Sequence, residues 1–345
     1  MQQKILITGG VGFLGVHLAR AFLKRGWDVT LFDIASLDAK DLIGKTHVIR
    51  GDIRNKKSIE KAMIGMSYVV HAAAALPIVR AKKKIFSTNV DGTKNVLEAA
   101  HRASIRRLVF ISSTAVYGVP KHLPETEISP LDPIGYYGKS KVLGEKLCED
   151  YMLNNLSINI IRPKTFLGPE RLGVFGLWFE AISTGHRVFI LGNGKNKYQL
   201  LAVSDVVDAV SKALTSSVEN QIFNIGAKEY QTWRKDLQHV IRFDKSSSRI
   251  TGLPVRPTQI ILTILELLQL SPLAAWHYKT MPVPSYVSTE KAERLLGWEA
   301  KKSNKELLLE SYLWYKKNRN KIQKNTGDTH RVGWNFKLLK IVSRI

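Results

Sequence analysis

Tyr137 and Lys141 stand four residues apart in "IGYYGKSKVLGE", residues 134–145, with only Gly138, Lys139 and Ser140 between them. On a helix that spacing stacks the two side chains on one face. A phenol beside an ammonium can take a proton from a reacting hydroxyl and return it; the same pair can also be two ordinary surface residues. Tyr136 has Ser140, not a lysine, four residues on, and reads as a wall residue.

A second constellation opens the chain. Gly9, Gly12 and Gly15 fall three apart in "TGGVGFLG", between the apolar run "KILI" and a stretch with helical apolar spacing at Phe13, Leu14, Leu18, Phe22 and Leu23. Strand, tight turn and helix in that order let the backbone turn sharply, let a pyrophosphate approach bare N–H groups, and set the positive end of the helix against the phosphates. The next strand, "DVTLFD", ends in Asp33. A carboxylate there can accept from both hydroxyls of an adenosine ribose and repels a 2′-phosphate, which favours NAD over NADP; a plain turn residue is the alternative.

These residues need a scaffold, and the strand signals continue. "HVIRGDIR" reads as a strand and turn, "YVVHAAAA" as a strand from Tyr68, "RRLVFISS" from Arg106 and "INIIRPKT" from Ile158, with helices between them, including "NVDGTKNVLEAAHRA". Repeated strand–helix units predict a parallel sheet with helices on both faces. With 345 residues, 44% hydrophobic and 23% charged, the chain can form a large α/β domain with a smaller appendage. No apolar stretch reaches membrane-spanning length, no signal peptide is read at the N-terminus, and Cys148, the only cysteine, suits helix packing in a reducing compartment; a cytoplasmic location is expected. The net charge of +23 favours anionic partners or reflects lysine-rich solvated faces.

Taken in order, "TGGVGFLG", Asp33, "GDI" (51–53), "HAAA" (71–74), "NVDGTKNVLEAA" (89–100), "ISSTAVYG" (111–118), "YGKSK" (137–141), "IRP" (161–163), "LGNG" (191–194), "VSDVVDA" (203–209) and "KAERLLGW" (291–298) resemble the extended short-chain dehydrogenase/reductase superfamily, in its NAD-dependent epimerase/dehydratase branch. The resemblance covers about residues 2–318. It implies a Rossmann-type doubly wound parallel sheet over residues 1–163, a smaller substrate-binding lobe over 164–318 with returns to the main sheet, and a basic tail over 319–345. Ser113, Tyr137 and Lys141 would be catalytic, with Asn89 supporting the site. Gly9, Gly12, Phe13, Leu14, Gly15 and Asp33 would hold NAD, with Asp52 and Ile53 beside the adenine, Ala72, Ala73 and Ala74 beside the passing cofactor, Lys141 on the nicotinamide ribose and Pro163 by the nicotinamide. A free tyrosine has a pKa of about 10, and a neighbouring ammonium would bring it toward working pH. A homodimer built from the helices beginning near Gly92 and Tyr137 is implied as well; no metal site and no nucleic-acid module is read.

The resemblance also narrows the reaction. Thr114 and Ala115 stand where the family's 4,6-dehydratases carry an acidic pair, so epimerisation or alcohol oxidation is expected rather than elimination. Tyr198 stands where sugar-nucleotide enzymes place an arginine for the diphosphate; Lys197, Lys279 and Arg171 are the cations that would take its part. "VRPTQIILTILELLQLSPLAAW" (255–276) reads either as a buried cap of the lobe or as the apolar helix of enzymes similar to 3β-hydroxysteroid dehydrogenases, which act on hydrophobic alcohols. Three functions are weighed: an epimerase-type enzyme acting on a nucleotide- or lipid-linked sugar, a dehydrogenase of a hydrophobic alcohol, and a non-catalytic NAD-binding protein. In the tail, Lys337, Lys340 and Arg344 share a helical face opposite Leu338, Leu339, Val342 and Ile345, a pattern that suits peripheral contact with an anionic inner membrane face, a fold-back onto protein, or fraying.

Overall fold

The computed structural model describes residues 2–76, 81–268 and 275–324, and the expectations for the tail from residue 325 on lie outside that range. Along the chain come β1 (Lys4–Thr8), α1 (Phe13–Lys24), β2 (Asp28–Asp33), β3 (His47–Arg50), α2 (Lys56–Met63), β4 (Tyr68–His71), α3 (Lys82–Phe86), a π-turn at Ser87–Asp91, α4 (Gly92–Arg102), β5 (Arg107–Ile111), a 3₁₀ turn at Thr114–Val116, α5 (Gly135–Leu153) and β6 (Ile158–Pro163). There follow β7 (Phe166–Leu167), α6 (Phe175–Ser183), β8 (Val188–Leu191), β9 (Leu201–Ala202), α7 (Val203–Thr215), β10 (Gln221–Ile225), α8 (Trp233–Phe243), β11 (Ile250–Leu253), α9 (Val255–Leu267), α10 (Ala275–Thr280), α11 (Glu290–Leu296) and α12 (Asn304–Lys324).

The chain divides into two units. The first comprises residues 1–164, 204–225 and 288–299, and holds a seven-stranded sheet in the order β10-β6-β5-β4-β1-β2-β3. All six pairings are parallel, as the strand–helix alternation predicts. The strands are near-continuous apolar runs because helices cover both faces. On one face Leu6, Phe32, Val69, Leu108, Phe110 and Ile160 pack with Ile59 and Met63 of α2, Val96, Leu97 and Ala100 of α4, and the fully buried Cys148 of α5. Strand order reverses between β1 and β4, and in open parallel sheets the crevice outside the carboxyl ends at such a reversal is where ligands bind.

The second unit comprises residues 165–203, 226–287 and 300–345. Two short parallel pairs, β7 with β9 and β8 with β11, are held with α6, α8 and α12 around an aromatic core of Trp178, Phe179, Tyr198, Trp233, Tyr312 and Tyr315. The helix α12 continues through the region read as the start of the tail: Arg319 makes a two-pronged ion pair with Glu180 of α6, at 2.9 and 2.7 Å. Among the described residues no helix is long and apolar enough to cross a membrane. Within α9, of the two readings that the sequence left open, the buried cap is not the one observed: this helix contains no buried residue.

Candidate active site

The glycine loop joins β1 to α1 at the reversal point. Gly9 has φ +69°, a left-handed conformation, and a Cβ on it would lie 2.8 Å from the Ala73 backbone that follows β4. A Cβ on Gly15 would lie 2.3 Å from the Gly9 carbonyl oxygen, so α1 can begin this close to the turn only with glycine there. At Gly12 a Cβ would meet only the Gly9 oxygen, at 3.1 Å. No side chain caps α1, and its first turn has no acidic residue to compete with an anion. Asp33, at the end of β2, accepts from Val11 N–H (3.1 Å) and Ala35 N–H (3.0 Å), which fixes its carboxylate beside the same loop. A dinucleotide fits this set of groups: a loop of backbone donors for its pyrophosphate and an oriented carboxylate for a ribose diol.

The structure places the other residues expected at a cofactor as follows. Phe13, Leu14 and Ile53 are buried, Ile53 packing against Gly92. Asp52 is gripped by Arg54 through its guanidinium and backbone N–H, and that hydrogen bonding holds its carboxyl below the usual range. After β4, Ala72 N–H donates to the Thr8 carbonyl at 3.1 Å and Ala73 N–H to Thr8 Oγ1 at 3.4 Å. Asn89 then ties three parts together: its side chain accepts from Ala75 N–H (2.7 Å) and donates to Ala75 O (3.0 Å) and to Ser140 Oγ of α5 (2.9 Å). It is buried and links the loop after β4 to the helix that carries Tyr137 and Lys141.

The helix α5 begins against the 3₁₀ turn. A Cβ on Gly138 would lie 2.7 Å from Ala115 O and 2.8 Å from Pro133 Cβ, so glycine here brings the start of α5 onto the turn that Ser113 opens. Ser113 accepts from Ala115 N–H at 3.1 Å as the N-cap of that turn, while its neighbour Ser112 is buried and donates to Glu145. Lys141 Nζ lies 5.9 Å from the centre of the Tyr137 ring and donates to Ile111 O at 2.7 Å. The lysine is 3% exposed, and burial pushes its pKa down to about 8 against the opposing pull of Glu145. The result is an ammonium held rigidly beside a phenol at the carboxyl end of β5.

Several groups went unread in the sequence. Glu145 and Arg162 form a buried two-pronged ion pair at 2.9 and 2.6 Å, and Arg162 also donates to the Tyr117 hydroxyl at 2.8 Å. Tyr117 in turn donates to Asn224 Oδ1 at 2.8 Å, and burial pushes its phenol up to about 12. The network runs from α5 to β6 and β10, and Pro163 sits at its end, its carbonyl accepting from Thr114 Oγ1 at 3.3 Å. Glu125 and Lys164 are a second buried pair: burial raises the former to about 7 and lowers the latter to about 8, each partly offset by the other's charge. His71 is neutral, its pKa lowered by burial to about 3 between Thr8 and Thr93. The spacing of Glu145, four residues beyond Lys141, was the one available signal for the first network.

In the second unit, Arg171 and Tyr198 line one cavity, with Phe166, Phe175, Trp178, Trp233 and Trp276 among its walls. Tyr198 is buried and stacks on Trp233 with ring centres 4.4 Å apart; the Arg171 guanidinium lies 5.0 Å over the Phe166 ring. Lys197 and Lys279 are exposed and do not line it.

Residues 5–226 match the NAD dependent epimerase/dehydratase family. The uncharacterized protein y4nG of Sinorhizobium fredii is 33% identical over 343 residues, covering 98% of this chain and 85% of that protein. UDP-N-acetyl-alpha-D-glucosaminuronate decarboxylase of Bacillus cytotoxicus is 31% identical over 271 residues, covering 74% of this chain and 84% of that enzyme. Among solved structures, UDP-glucose 4-epimerase of Thermotoga maritima with UDP-glucose is similar with a TM-score of 0.78 at 24% identity, over 92% of this chain and all of that one; the likeness is one of fold.

Proposed function

We propose, from the premise that this chain belongs to the NAD-dependent epimerase/dehydratase family, that it is an epimerase-type enzyme oxidising a secondary hydroxyl of a nucleotide-linked sugar. The observation that carries the reading is the Lys141 ammonium, buried beside the Tyr137 ring on a helix that Gly138 holds against the Ser113 turn. NAD, when bound, supplies the acceptor and later the donor of hydride. Asp33 would hold the adenosine ribose and the turn from Gly9 to Gly15 would receive the pyrophosphate. Tyr137 takes the proton of the substrate hydroxyl as the carbon is oxidised and returns it to the same oxygen on reduction. Ser113 holds that oxygen, and Lys141 favours the charged phenolate. With Thr114 and Ala115 after Ser113, no carboxyl pair stands there to eliminate water. The decarboxylase relative, a UDP-sugar enzyme by name, supports a nucleotide-linked substrate.

A second reading has its own observation. The cavity that holds Tyr198 is walled by aromatic rings with one guanidinium, which suits a lipid-linked sugar or a hydrophobic alcohol. Calorimetric titration of the NAD-loaded protein with UDP and with dTDP separates the two. Micromolar binding and sugar turnover without net NADH support the first; absence of binding to millimolar nucleotide, with NADH accumulating on an apolar alcohol, replaces it with the second. The same proposal includes a cytoplasmic enzyme that pairs through α4 and α5, where Tyr136 and Leu143 are exposed, and whose basic tail touches an anionic membrane. Light scattering tests the dimer.

A further inference from the structure

Helix α9 is amphipathic in the inverted sense. Gln259, Thr263 and Glu266, spaced i, i+4 and i+7, turn inward to α10: Gln259 donates to Tyr278 O at 2.9 Å, Thr263 lies 3.3 Å from the Tyr278 hydroxyl, and that hydroxyl donates to Glu266 at 2.5 Å. Glu266 also accepts from Ala275 N–H at 3.2 Å. The opposite face carries Ile260, Ile261, Ile264, Leu267 and Leu268, between 51% and 80% exposed. Five large aliphatics in one stripe is a pattern soluble helices turn toward a core. Here the polar face holds the helix to the protein and the apolar face is left outside.

Charge selects the occupant. The second unit carries 24 Lys and Arg against 9 Asp and Glu, so +15 of the net +23 lies in the unit that carries α9. Arg249, Arg256 and Lys279, close to α9 in sequence, are exposed, whereas the only acid on the helix, Glu266, is bonded to Tyr278. A second copy would bring like charges against this face, and so would the chain's own tail with Lys337, Lys340 and Arg344. An exposed apolar stripe with exposed cations on both sides of it in sequence matches the boundary between anionic headgroups and acyl chains. We propose that the exposed stripe of α9 docks on an anionic lipid bilayer. Because α9 is bonded to α10, whose Trp276, His277 and Thr280 line the aromatic cavity, docking would hold that cavity beside the lipid surface. The proposal stands on the stripe and the charge, and holds whichever substrate reading is correct.

The test is vesicle flotation of the full chain, using phosphatidylcholine with or without phosphatidylglycerol, at low and high salt. Wild type is expected to float with the anionic vesicles and to release partly at high salt. Ile261→Glu/Ile264→Glu is expected to lower the partition at least about tenfold at unchanged melting temperature and mass. Leu339→Glu, in the tail, is expected to retain most of it. The proposal is overturned if wild type ignores anionic vesicles, if the double variant floats like wild type, or if the double variant splits a wild-type dimer into monomers, which would mean a second copy covers the stripe.

Discussion

Lys141 carries a stability cost that its removal should expose. Its pKa falls from the ordinary 10.5 to about 8 because burial strips water from the ammonium. That shift corresponds to about 3 kcal/mol against the charged form. Lys141→Met removes the cost and loses one hydrogen bond to Ile111 O, worth about 1 kcal/mol. Glu145 keeps Arg162 and Ser112 as partners, so no buried charge is stranded. The variant should therefore be more stable than wild type by about 2 kcal/mol at neutral pH. A lysine with a lower pKa folded than unfolded binds fewer protons in the native state between the two values, so wild type gains stability as pH rises from about 8 to 10.5. Below pH 8 the full cost stands, and the advantage of the methionine should fall below about 1 kcal/mol by about pH 9.5. For a chain of 345 residues the neutral-pH gain corresponds to roughly 3 °C in melting temperature. Thermal melts at both pH values read it, alongside turnover reduced at least about a hundredfold. A variant no more stable at neutral pH, or one whose advantage does not shrink at high pH, refutes the argument.

Tyr137→Phe should lower kcat about 10²–10⁴-fold with NAD affinity and melting temperature unchanged, read by steady-state kinetics and calorimetry. Asp33→Ala removes the acceptor proposed for two ribose hydroxyls and should weaken NAD by about 1–3 kcal/mol, roughly 5- to 150-fold in Kd, while narrowing the preference over NADP. Arg162→Met leaves the Glu145 carboxylate buried without its two-pronged partner and should cost about 3–5 kcal/mol in urea unfolding. Glu125→Gln should stabilise above pH 7 and do little near pH 4.5, because a carboxyl raised to about 7 loses native-state stability as pH climbs from its ordinary 4.5; melts across that range read the slope.

What the sequence made legible was local. A four-residue spacing put Tyr137 and Lys141 on one helical face, and glycines at fixed intervals between a strand and a helix marked the tight loop from β1 to α1. What stayed hidden depends on partners distant in sequence. Nothing near Glu145 announces Arg162, and nothing in "LPETE" says that Glu125 is buried with Lys164. Nothing in the sequence around Gly138 shows that its close approach to Ala115 is what sets α5 on the Ser113 turn. For α9 the apolar pattern was plain, but a pattern gives two faces and not which of them meets the protein. The bonds from Gln259 and Glu266 to Tyr278 decide that, and they come from a segment beyond the helix.

The first unit is discontinuous, and that bears on how the chain is made. When β6 leaves the ribosome at Pro163, its partner β10 is still unsynthesised, since it begins at Gln221. Nearly sixty residues, most of them belonging to the second unit, must emerge first, which at ordinary synthesis rates takes roughly 3–12 s. During that interval Ile160 and Ile161 lie on an unpaired sheet edge, the kind of edge that recruits stray strands. Fragments that stop near residue 164 are therefore expected to aggregate more than the full chain, because they keep this edge of β6 unpaired.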